Sequence, residues 1–276
     1  MSAEDKEAPG KQEEEKSDRE KELGPKMSFI EHLEELRYRI IVSFITFAAV
    51  FVVIYASPIK ETVSHNFTKP LEGALEGFGK IQYTHMAEGF FFQLKIAALA
   101  ALFVSLPMIF YQFWAFVAPG LYKKEKIYMG PLILSSTLFF VGGAAFFFLV
   151  VFPVVSEFFT GFARPENVEF NPKYSELFTF VMMLIIAFGV VFEMPLVVFV
   201  LARLRILSAR FLRKNRKYAL LIIVILGAFF TPPDVVSQMF LVVPMVLLYE
   251  LSVLVAWIFG PSTKKPAEEG AGEAGS

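Results

Sequence analysis

The chain has 276 residues, is 55% hydrophobic with 33 Phe, and carries a formal net charge of −1. That much apolar mass excludes an ordinary soluble domain and points to the membrane class, and the near-neutral balance points to no nucleic-acid partner. Cysteine is absent, which excludes disulfides, thiolate metal sites and cysteine nucleophiles.

Residues 1–27 are rich in Lys and Glu and pass through Gly24-Pro25. Such a segment buries too little apolar surface to offset its ordering entropy, so a disordered, charged tail is expected. It lacks the short apolar core of a signal peptide. Residues 28–260 read as one transmembrane domain, and 261–276 as a second disordered tail. No internal repeat is visible.

Ser28 and Glu31 form a capping box that opens a helix. Phe29, Leu33, Leu36 and Ile40 then recur as one apolar stripe, with Glu34 and Glu35 on its flanks. The helix runs without a break into the first span. Two readings stand for its charged part. It is an interfacial anchor in which Glu35 pairs with Arg39 at i+4, a contact worth a few tenths of a kcal/mol, or it is a binding surface.

A spanning helix needs about 20 mostly apolar residues. Ile40–Ala56, Phe90–Ala118 (with Pro107 inside), Pro131–Val155, Leu177–Ala202 (with Glu193-Met194-Pro195 inside) and Val235–Phe259 meet that length to within a few residues. Tyr218–Phe230 is shorter. It reads as a short span that thins the bilayer locally, with a re-entrant segment as the alternative. Thr231-Pro-Pro-Asp234 separates it from the last span, and two prolines there predict a tight helical hairpin.

Six spans alternate the loops between two sides. One side collects 15 Lys and Arg, with Lys26 counted but not the rest of the N-terminal tail, seven of them between Arg203 and Lys217, and the other side collects 5. The positive-inside rule then predicts cytoplasmic termini. Glu193 and Glu250 lie inside spans, where an acid costs about 2.5–3.5 kcal/mol and reads as functional, although a neutral structural Glu193 stays open. Lys95 is expected to snorkel outward. "GFGK" at Gly77–Lys80 lacks the phosphate-loop spacing, and His32, His65 and His85 share no metal-ligand spacing. No catalytic constellation or cofactor is expected.

Four separated stretches carry a family resemblance. "HLEELRYR" at His32–Arg39, "YQFWAFVAPGLYKKEK" at Tyr111–Lys126, "AFGVVFEMP" at Ala187–Pro195 and "TPPDVVSQ" at Thr231–Gln238 resemble TatC, the polytopic receptor of the twin-arginine protein translocase. The resemblance implies an all-α polytopic membrane protein with six transmembrane helices in a concave, glove-like bundle, the last two short. It implies binding of twin-arginine signal peptides of folded precursors, assembly with single-span Tat subunits and with further copies of itself, and export driven by the proton-motive force. The implied site is a bacterial-type inner membrane, with both termini cytoplasmic and no enzymatic turnover.

The resemblance also implies roles for residues. Glu35 and Glu125 fall on the two carboxylates that bind the paired arginines, a sensible chemistry because guanidinium–carboxylate forks are strong and geometrically selective. Arg37 is expected to orient that site and Phe116 to lie near the peptide. Glu193 is the intramembrane polar residue. Pro70, Phe90, Asp234 and Gln238 serve as subunit contacts or structural turns. A small-solute secondary transporter also uses intramembrane acids and broken helices, and it is the rival reading. Such transporters commonly show paired halves, and here the broken spans do not recur symmetrically.

Overall fold

A computed structural model describes residues 29–74, 85–117, 129–162, 173–230 and 235–260. These form ten α-helices and one π-helical turn. We number the helices α1 Phe29–Ala56, α2 Ile59–Ala74, α3 Glu88–Val117, α4 Met129–Phe146, α5 Phe152–Phe162, α6 Tyr174–Phe192, α7 Met194–Arg203, α8 Ala209–Lys214, α9 Arg216–Phe230 and α10 Val235–Phe259. The π turn, Phe147–Val151, joins α4 to α5. Among the described residues five stretches are long and apolar enough to cross a membrane: Ile30–Ala56, Glu88–Val117, Met129–Phe158, Ser175–Arg203 and Gln238–Phe259. The 15 residues of α9 reach about 22 Å, short of the roughly 30 Å hydrocarbon layer.

The chain divides into two units, Met1–Glu193 and Met194–Ser276. In the first unit α1 and α3 run antiparallel. Ile54 near the end of α1 packs on Ala97, Ala100 and Ala101 near the start of α3, with Phe47, Phe51 and Tyr55 around them. Alanines on α3 let the bulky face of α1 approach closely, as small residues do where lipid supplies no hydrophobic drive. Away from that contact, α1 exposes Phe44, Ile45, Val52 and Val53, as a lipid-facing surface must.

Helices α4 and α6 come closer still. A Cβ on Gly143 would stand 2.6 Å from the Phe188 carbonyl oxygen, and one on Gly189 would stand 2.7 Å from the Phe140 ring. Each glycine thus receives the other helix's aromatic region. Helix α3 closes this group: Phe92 meets Phe178 edge-on at 4.9 Å, and Phe103 meets Phe140 at 5.8 Å. The third span is not a plain α-helix. Before Pro153, whose ring nitrogen cannot donate, the ladder widens and the Phe152 N–H bonds to the Phe147 carbonyl.

In the second unit α7 ends in a Schellman turn. Ile206 N donates to Leu201 O at 3.0 Å and Arg205 N to Ala202 O at 3.0 Å. Arg205 holds φ 60 there, a position usually given to glycine. Val198, Ala202 and Ala256 form the α7–α10 core, and Phe199 meets Phe259 edge-on at 5.0 Å. Helices α9 and α10 pack where Gly227 admits the Val242 side chain. Arg216 forms an ion pair with Glu250, which holds that acid near the basic segment.

Candidate functional site

Two polar groups stand inside the first unit. The first lies where the start of α1 meets the end of α3. Helical spacing stacks His32, Glu35 and Arg39 on one face of α1. Arg39 Nε donates to Glu35 Oε1 at 2.9 Å, and Arg39 Nη2 contacts the same oxygen. Arg39 Nη1 donates to Gln112 Oε1 on α3 at 3.2 Å. The other carboxylate oxygen, Glu35 Oε2, is buried and accepts no hydrogen bond among the described residues; His32 Nδ1 lies 3.8 Å from it. The His32 ring stacks on Phe116, with centroids 4.3 Å apart and planes 9° apart. A carboxylate with one satisfied oxygen and one unsatisfied oxygen, beside an aromatic surface, is equipped to take a planar cation.

The second group lies deeper. Trp114 Nε1 donates to Ser136 Oγ at 2.7 Å, and Ser136 is fully buried. The Glu193 carboxyl is hydrogen-bonded to the Ser136 side chain and to the Phe140 backbone, while its Oε1 has no partner among the described residues. Glu193 sits at the break between α6 and α7, where Pro195 interrupts the ladder. Three helices thus meet through Trp114, Ser136 and Glu193.

The remaining sequence-predicted residues are placed as follows. Arg37 is exposed, about 200° around α1 from Glu35. Phe90 is exposed and packs edge-on against Phe91 at 5.6 Å. Pro70 lies within α2, four residues before its end. Gln238 Nε2 donates to Val224 O at 2.8 Å and ties α10 to α9. Glu125 and Asp234 lie outside the described residues. The structure therefore brings Glu35 and Phe116 together through His32. Lys95 Nζ donates to Thr179 Oγ1 at 2.7 Å and lies 3.4 Å from Ser175 Oγ, both near the start of α6.

Gln112, Trp114 and Ser136 were missed from the sequence. An amide inside an apolar run was an available signal for Gln112. Nothing local marked Ser136, one of several serines in its span. Among the described residues no group of three or more His, Asp or Glu side chains stands close enough to hold a metal ion.

A family model described as "Sec-independent protein translocase protein (TatC)" matches residues 31–244. The chain belongs to the TatC family. TatC proteins of the same description are 41% identical over 253 residues in Desulforapulum autotrophicum, covering 92% of both chains, and 38% identical over 239 residues in Haemophilus influenzae, covering 86% of this chain and 92% of that one. A crystal structure described as the twin arginine translocase receptor TatC superposes with a TM-score of 0.73 at 32% identity, over 82% of this chain and 97% of that one. The matched residues include both polar groups and end within α10.

Proposed function

We infer that the protein is the receptor component of a twin-arginine translocase, and that it binds the paired arginines of signal peptides on folded precursors at Glu35 and Glu125. The observation that carries this reading is the Glu35 carboxylate: α1 and α3 hold it in place, with Oε2 buried and accepting no hydrogen bond among the described residues. Family membership supports the same role. In this reading the site faces the cytoplasm, the chain sits in a bacterial-type inner membrane with both termini cytoplasmic, and single-span Tat subunits assemble around it. The protein binds and assembles, and performs no bond-making step of its own.

The test is binding of a twin-arginine peptide by purified protein in detergent. Glu35→Gln and Glu125→Gln are each expected to lose roughly tenfold to a hundredfold in affinity, the worth of a charge-assisted hydrogen bond of about 1.5–3 kcal/mol. Glu34→Gln, one residue away on the exposed side of α1, is expected to change little. Equal loss at Glu34 and Glu35, or none at Glu125, rejects the two-carboxylate site.

A further inference from the structure

We propose that Arg39 is an internal competitor that sets the affinity threshold of the Glu35 site: its guanidinium occupies the carboxylate that an incoming arginine needs and is displaced when that arginine binds. This rests on the reading of Glu35 as a receptor carboxylate. Without Arg39 the site is an open anion. With it, the site already holds a cation of the same chemistry as its ligand.

The geometry favours displacement over permanent pairing. Two donors of Arg39, Nε and Nη2, converge on the single oxygen Oε1. The parallel fork, one donor to each oxygen, is left unused, and Oε2 stays without a donor among the described residues. An incoming guanidinium that takes both oxygens makes the stronger arrangement. Arg39 also has somewhere to remain. Gln112 Oε1 accepts from Nη1 at 3.2 Å, and Gln112 is itself buried on α3, so a displaced Arg39 stays tethered there. The side chains of Arg39 and Glu35 are 21% and 17% exposed, a pair neither open enough to be worthless nor sealed enough to be fixed.

Competition from within has a definite signature. The apparent affinity of any ligand is its intrinsic affinity scaled by the fraction of molecules in which Arg39 has released Glu35. That factor is the same for an arginine and a lysine peptide. The preference for arginine itself comes from the planar fork, which an ammonium cannot make. Arg39 sets the threshold that both must clear, and the weaker lysine peptide falls below it.

Full-length protein in detergent or nanodiscs, titrated with matched Arg-Arg and Lys-Lys peptides, tests this. Arg39→Gln is expected to raise affinity for both peptides by the same factor, roughly three- to tenfold. Gln112→Ala removes a tether that Arg39 keeps before and after displacement, so it is expected to change both affinities little. Arg39→Lys keeps the charge but loses the two-donor contact. It is expected to give an intermediate gain and decides the matter if Arg39→Gln does not fold. A loss of affinity in the Arg39 variants makes Arg39 a support for Glu35 and overturns the proposal, as does an unchanged affinity. A Glu35→Gln protein that binds normally rejects the receptor reading itself, whatever Arg39 does.

Discussion

Ser136 joins two groups that otherwise have no reason to meet. Its oxygen accepts from Trp114 Nε1, and its hydroxyl faces the Glu193 carboxyl. Ser136→Ala leaves a buried indole N–H without its acceptor, which costs about 1–3 kcal/mol. Thermal unfolding in detergent is expected to show that loss, with Trp114 fluorescence shifting as its environment changes. Glu193→Ala is expected to insert normally and bind signal peptide normally, yet to export a twin-arginine precursor poorly. Normal export by that variant assigns Glu193 a structural role only. The presence of Glu193 was legible because an acid in an apolar run has no inexpensive explanation. Its partners were not, since Trp114 and Ser136 arrive from other helices and neither breaks its own local pattern. The partners of Lys95 were hidden for the same reason: the hydroxyls that hold it lie 80 and 84 residues further along the chain.

Helices α4 and α6 depend on what two residues lack. A side chain at Gly143 meets backbone, the Phe188 carbonyl, which cannot move aside as a flexible side chain can. Gly142, its neighbour, has nothing within 4 Å of a built Cβ. Gly143→Val is therefore expected to separate the helices and lose most of the folded protein. Gly142→Ala is expected to be neutral or to stabilise by up to about 1 kcal/mol through helix propensity. Limited proteolysis and melting in detergent compare the two. The spans were readable because length and apolarity are additive properties of a sequence. Helix α2 was not, because a polar helix between two spans carries no such signal, and its Pro70 argued for a turn.

At the level of the whole molecule the positive charges make a claim about sides. The Arg203–Lys217 segment is expected on the cytoplasmic side and Thr231–Asp234 on the other. The chain has no cysteine, so single cysteines report without background. In intact cells an impermeant thiol reagent is expected to label a cysteine placed between Pro232 and Asp234. A cysteine beside Lys214 is expected to react only after the membrane is opened. The reverse pattern inverts the molecule and removes Glu35 from the side where precursors are made. Five crossings were legible from length alone, and α9, at 15 residues, is the one whose crossing rests on its charged flank.

The π turn at Phe147–Val151 makes the third span tolerant of a change that helices usually reject. Ser136 and Val155 are both buried, yet 19 residues at about 100° each run about 100° past whole turns. Absorbing one residue in the wide turn returns Val155 to the face of Ser136. The turn thus behaves as an insertion already accommodated, and Leu149, 73% exposed, is the residue most easily spared. Removing Leu149 contracts the wide turn to an ordinary one and leaves both flanking segments facing as before, at the cost of the Pro153 ring alone. Removing Leu138, 61% exposed but in regular helix, rotates Phe140, Gly143 and Phe147 off the α6 contact. The Leu149 deletion is expected to accumulate in membranes and melt near the parent, and the Leu138 deletion to be degraded.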